Sequence, residues 1–125
     1  SLVNFHVVIQ TVMGWTNSHL HLFRKNEVEY TFRYQSDDSW DEWGYVDYAG
    51  MKIADLMTDC GDSVTYLYDY GDDWKHTIEL LEVIKNIKVR TGTFFLQCLA
   101  GERRCPPEDC GGVHGYHEML KTLKN

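Results

Sequence analysis

A chain of 125 residues with 43% apolar and 14% aromatic side chains fits one folded domain with a real hydrophobic core and argues against disorder. Its formal net charge of −7 argues against a sequence-independent grip on nucleic acid, which needs a lysine and arginine surface to displace counterions, and leaves room only for a local basic patch such as Arg103-Arg104. No apolar run approaches the roughly eighteen residues of a membrane span and no secretory signal pattern is visible, so a cytoplasmic protein with reduced cysteines is expected.

Leu2, Phe5, Ile9 and Val12 recur at helical spacing behind Ser1, which can cap the helix, and Gly14 supplies a stop. So abrupt a start predicts a preceding segment in the full protein. His6 falls at the core boundary of this helix. Leu20 and Leu22 then alternate with His19, His21 and Phe23, and after a turn at Lys25-Asn26 the residues Val28, Tyr30, Phe32 and Tyr34 share a face, which predicts a hairpin. His19 and His21 project to one side of their strand as a possible ligand pair. Gln35 to Gly50 carries Asp37, Asp38, Asp41, Glu42 and Asp47 without a basic residue and reads as a solvated loop, part of it packed down by Trp40, Trp43, Tyr45 and Tyr48. Met51 to Met57 suits a short helix.

A second hairpin follows, with Val64, Tyr66, Tyr68 and Tyr70 in alternation, a turn at Gly71-Asp72-Asp73-Trp74, and a return strand from His76 to Ile84. Asp72 or Asp73 is expected to fix that turn by accepting backbone hydrogen bonds, with Trp74 buried. Thr93 to Leu99 suits one more short strand. The last helix is amphipathic through Tyr116, Met119, Leu120 and Leu123. Hairpins and helices are interspersed without regular β-α-β alternation. The predicted fold is therefore α+β: a mainly antiparallel sheet packed against an N-terminal helix, with a C-terminal helix after a Cys/Pro/Gly-rich loop. Residues 1–125 form a single domain, with no repeat or dividing linker.

Chemistry concentrates in Cys98 to Tyr116, CLAGERRCPPEDCGGVHGY, which holds three of the four cysteines and both prolines. Pro106-Pro107 favours an extended start, and Gly111-Gly112 lets the chain reverse into the final helix. Cys98, Cys105 and Cys110 lack the CxxC spacing of common zinc ribbons. Three thiolates completed by His76 or His114 would still satisfy a tetrahedral zinc site. The same thiols could instead be small buried residues, or Cys105 and Cys110 could pair as a disulfide. Asp72, Asp73 and His76 lie close in sequence, and with Glu108 and Asp109 they could bind a hard cation or move protons. Turn formation accounts for the same acids and glycines equally well. No nucleophile elbow, phosphate-binding glycine loop or HExxH pair is present. Trp74, beside two acids and near Tyr66, Tyr68 and Tyr70, could present an aromatic face to a peptide or a cation, or be the half-buried face of a strand.

Three segments together, IQTVMGWTNSHLHLF (9–23), YDYGDDWKHTIEL (68–80) and CLAGERRCPPEDCGGVHGYHEML (98–120), resemble the plasmid PRiA open-reading-frame-three-like family, also met as a passenger protein of insertion elements. The resemblance spans nearly the whole chain. It implies a β-hairpin ahead of the first helix, absent here, and with that hairpin a β-grasp-like order. His114 and His117 depart from the family pattern of Trp or Pro and an acid, so neither inherits a role. The family implies no activity. Residues and resemblance together lead to a cytoplasmic binding or accessory module associated with mobile elements, with a protein or peptide partner, no membrane and no non-specific nucleic-acid binding. The alternative is a metal-dependent hydrolase or nuclease using Asp72, Asp73, His76, Glu108 and Asp109. Convergence of those five side chains in an open cleft would favour the enzyme; dispersal into locally bonded turns would favour the module.

Overall fold

Ser1 opens the first helix, α1 (Leu2–Met13), its hydroxyl accepting from the Asn4 amide at 3.2 Å, and Gly14 closes it in the left-handed region at φ 74°. The computed structural model describes residues 1–34, 40–85 and 96–124, apart from the Asp41 side chain. Next come β1 (His21–Lys25), β2 (Val28–Thr31), the single helical turn α2 (Trp40–Trp43), β3 (Val46–Asp47), a 3-10 turn at Ile53–Asp55, β4 (Ser63–Tyr68), β5 (Trp74–Glu79) and α3 (Gly112–Lys124).

The five strands form one sheet in the order β3-β2-β1-β4-β5. The β1–β2, β1–β4 and β4–β5 pairings are antiparallel, and the short β2–β3 pairing is parallel. The fold is thus α+β with a mainly antiparallel sheet, as predicted. Asn26 and Glu27, both at positive φ, make the first hairpin turn one residue later than the sequence suggests. The predicted return strand to Ile84 ends at Glu79, and the Met51–Met57 helix reduces to the 3-10 turn. Leu96 to Leu99 carries no strand; the rest of that predicted strand, with Asp37 and Asp38, lies outside the described residues. Trp40 and Tyr48 pack down from the acidic stretch, while Trp43 stays exposed.

Aromatic alternation on β1 and β4 builds the core. Phe23, Tyr66 and Tyr68 are fully buried with Val64, Tyr48, Leu2, Trp15 and Trp74, and each large side chain withdrawn from water contributes about 1.5–3 kcal/mol. The helix meets this core through Leu2, Phe5 and Ile9 as expected, but two polar side chains join that face and Val12 does not. Leu2, His6 and Gln10, spaced by four, are buried, whereas Val12 is 55% exposed. The reason is a phenol beneath the helix. Gln10 Nε2 donates to the Tyr66 hydroxyl (3.0 Å), that hydroxyl meets His6 Nδ1 (2.9 Å), and His6 Nε2 meets Asn17 Oδ1 (2.8 Å). The Asn17 amide closes the ring by donating to Gln10 Oε1 at 2.9 Å. His6 is therefore a core residue, 4% exposed, not a boundary one. Its ring stacks on His21 with centroids 3.5 Å apart, and His21 Nε2 meets the Tyr48 hydroxyl at 2.5 Å.

Candidate functional site

The CPPEDCGG loop lies across the end of α1 and the β4–β5 turn, and directed hydrogen bonds hold it there. Trp15 Nε1 donates to the Pro106 carbonyl (2.9 Å). Glu108 Oε1 accepts from the Thr16 amide (2.9 Å) and the Tyr68 hydroxyl (2.6 Å), and Oε2 accepts from the Thr16 hydroxyl (2.7 Å). Further along, the Gly111 amide donates to Asp72 Oδ2 at 3.1 Å. Trp15 stacks on Tyr68 at 4.7 Å, so the loop rests on an aromatic floor. Partial burial opposes ionisation of Glu108, but the Tyr68 and Thr16 donors outweigh it and hold its carboxyl below the ordinary value. Burial, with the bond to Glu108, pushes the Tyr68 phenol up to about 12.

The β4–β5 turn is fixed by an acid that the sequence does not single out. Asp69 Oδ1 accepts from the Gly71 amide (2.9 Å) and the Asp72 amide (3.2 Å), with Asp69 and Asp73 both in the left-handed region. Asp72 reaches across to the loop instead, and Asp73 pairs with Lys75 at 3.0 Å in solvent. Trp74 is buried as predicted.

Of the five side chains considered for catalysis, Glu108 and Asp109 meet each other, and the histidine they meet is His19. His76 lies edge-on to Trp15 (5.4 Å) and beside Tyr66 (5.9 Å), its Nδ1 buried without a hydrogen bond. Burial lowers its pKa and keeps it neutral. Among the described residues, one set of three His, Cys or carboxylate side chains brings its donor atoms within 4.8 Å of one another: His19, Glu108 and Asp109. His19 and His21 do not act as a pair, because His21 turns into the core. Burial first, and the His6 charge second, lower its pKa to about 3.

All four cysteines are free. Cys98 Sγ lies in solvent near its own Ala100 carbonyl (3.4 Å), Cys105 Sγ rests on Met13 Sδ (3.7 Å), and Cys110 Sγ turns toward the Gly112 carbonyl (4.0 Å). The geometry does not draw Cys98, Cys105, Cys110 and His76 into one donor set. Burial and the nearby Asp72 carboxylate also raise the Cys110 pKa, which disfavours a thiolate there. Trp74, Tyr66 and Tyr68 belong to the core, and only Tyr70 of that aromatic row is exposed. His114 and His117 are exposed on α3. A cleft of about 520 Å³ lies between the end of α1 and α3, lined by Val12, Met13, Cys105, Tyr116 and Met119, with Arg104 at its wall. Among the described residues no helix is long and apolar enough to cross a membrane.

These features define an α+β domain whose Cys/Pro/Gly-rich loop closes on the end of its first helix and on an acidic hairpin turn. The chain belongs to the plasmid pRiA4b ORF-3-like protein family, which it matches over residues 1–125, as its three sequence motifs suggest. It is similar to the uncharacterized protein y4hQ of Sinorhizobium fredii (strain NBRC 101917 / NGR234), at 37% identity over 123 residues. That match covers 98% of this chain and 59% of the relative, so the chain spans less than two thirds of the relative's length. It is also similar to the crystal structure of the protein of unknown function MM3350 from Methanosarcina mazei Go1, with a TM-score of 0.77 and 32% identity. There the match covers 98% of this chain and 67% of the other.

Proposed function

We propose that this chain is a cytoplasmic binding or accessory module serving mobile genetic elements, with a protein or peptide partner, and that it is not a hydrolase. One observation carries the proposal: four of the five side chains a hydrolase would use are committed to structural bonds or to aromatic packing. Asp72 holds the Gly111 amide, Asp73 pairs with Lys75, Glu108 holds Thr16 and Tyr68, and His76 sits among aromatic rings. General acid–base catalysis needs such groups converging on one substrate position. The plasmid origin in the family's description supports the link to mobile elements. The purified chain, assayed with magnesium, manganese or zinc against DNA and activated phosphate and acyl esters, is expected to give no turnover above buffer. Metal-dependent turnover that disappears in Asp73→Asn and Asp109→Asn variants would overturn the proposal.

The acidic balance carries a second expectation. With a net charge of −7, the chain should not retard random duplex DNA at physiological salt in a gel-shift titration. Submicromolar binding that weakens as salt is raised would contradict it and point instead to a localised basic surface around Arg103-Arg104.

A further inference from the structure

We infer that His19, Glu108 and Asp109, with Asp69 alongside, hold a divalent transition-metal ion of the zinc class. The inference rests on the module reading above, in that the ion is bound without a free general base beside it.

Three chain segments converge here: the stretch ahead of β1 gives His19, the β4–β5 turn gives Asp69, and the loop before α3 gives Glu108 and Asp109. The decisive feature is the state of His19 Nε2. It is shielded from solvent and lies 2.8 Å from Asp109 Oδ1 and 3.6 Å from Asp69 Oδ2, yet it makes no hydrogen bond. The nearer oxygen lies off the ring nitrogen's donor axis and the farther one is out of range. A buried nitrogen flanked by carboxylates and without a hydrogen-bond partner suits a ligand better than a hydrogen-bond donor.

The acids have capacity to spare. A carboxylate offers about four lone-pair directions, and Glu108 spends three on Thr16 and Tyr68. Those same donors keep it ionised and fix its orientation, as partners behind a metal ligand commonly do. Asp69 Oδ1 is occupied by two backbone amides, which aims Oδ2 of this 10%-exposed side chain at His19. Asp109, 72% exposed, can shift to accommodate an ion and opens the site to solvent. Donors around a four-coordinate ion at about 2.1 Å stand about 3.4 Å apart, and the three principal donors already lie within 4.8 Å of one another. Imidazole in the set selects zinc and its neighbours over magnesium or calcium, which favour oxygen alone.

The test is calorimetric titration of chelator-stripped protein with zinc, and separately with calcium and magnesium. One zinc per chain is expected, with a rise in melting temperature and no comparable response to calcium or magnesium. Asp109→Asn, at an exposed position that leaves the fold intact by circular dichroism, and His19→Gln should each weaken zinc binding at least tenfold. Replacing Cys98, Cys105 and Cys110 together by serine should leave it unchanged. Absence of zinc binding would overturn the site, as would binding that survives His19→Gln and Asp109→Asn but is lost with the thiols. Neither result bears on turnover, which tests the module reading by itself.

Discussion

Gly115→Ala is expected to unseat the CPPEDCGG loop and to lower the melting temperature by about 10 °C, or ~3 kcal/mol for a chain of this size. A Cβ on Gly115 would overlap the Cys110 carbonyl oxygen, which belongs to the backbone and cannot rotate away. Gly112 is constrained twice: its φ is +65°, and a Cβ there would stand 2.5 Å from the Asp72 carbonyl oxygen. Helix α3 therefore starts where loop, helix and hairpin turn touch through bare backbone. Moving the loop to admit a methyl group would break the Gly111–Asp72, Glu108–Thr16, Glu108–Tyr68 and Trp15–Pro106 bonds together. Gly101→Ala is the control. It lies in the segment leading to the loop, has nothing within 4 Å of the added atom, and should change stability by no more than about 0.5 kcal/mol. Thermal melting of the two variants beside the wild type decides the matter. If Gly115→Ala melts with the wild type, the loop is not packed as described. If it melts low, the same variant should also lose zinc, because Glu108 and Asp109 leave His19.

Much of this architecture is legible in the residues. Ser1 and Gly14 mark the ends of α1, and the tyrosine alternation of β4 and the aromatic return at Trp74 mark the second hairpin. What escapes a reading along the chain is chemistry between distant positions. The apolar series Leu2, Phe5, Ile9, Val12 points to one helix face, yet the Tyr66 hydroxyl, 60 residues from His6, draws two polar side chains inward and leaves Val12 outside. Within YDYGDDW three acids compete for the turn, and the left-handed conformation at Asp69, which no composition rule assigns, decides which one accepts the amides. The candidate site was legible by halves. Glu108 and Asp109 stand out in their loop and His19 stands out in SHLH, but their meeting depends on the loop crossing back over residues 92 positions earlier. His76 was the nearer histidine in sequence, and its place on β5 opposite Tyr66 turns it into the aromatic layer. The two-residue β3 is too short for any pattern, so its parallel pairing with β2 had no signal.

Mild acid is expected to destabilise the fold well before the carboxylates titrate, and the buried histidines are the cause: the stacked pair His6 and His21, with a further contribution from His76 on β5. The ring of bonds around His6 admits one neutral arrangement: Gln10 donates to Tyr66, Tyr66 donates to His6 Nδ1, and His6 Nε2 donates to Asn17. A proton on Nδ1 would displace the Tyr66 hydroxyl hydrogen, which has no second acceptor in that ring, and would place a charge 3.5 Å from the His21 ring. The hydrogen-bond partners of His6 and His21 among the described residues are phenols and an amide, with no carboxylate to balance the charge. Burial accordingly lowers the pKa of both, against the Asn17 bond in His6 and with the help of His6 in His21. The sign follows from linkage. The unfolded chain takes up these protons near pH 6.5 and the folded chain only at lower pH, so the stabilisation is complete above that pH and is lost as pH falls through it. His21, lowered to about 3, steepens the loss by about 1.4 kcal/mol per pH unit below ~6.5, and His6 adds to it down to its own lowered pKa. Carboxylates such as Glu108, whose ordinary value is 4.5, enter only lower down. Urea unfolding in the presence of a chelator, so that no ion at His19 contributes, should show stability falling between about pH 6.5 and 5. A His6→Gln variant should show a shallower slope. Stability that stays level across that interval would mean that the two rings can be charged in place, and that the buried network around Tyr66 is not what seats α1 on the sheet.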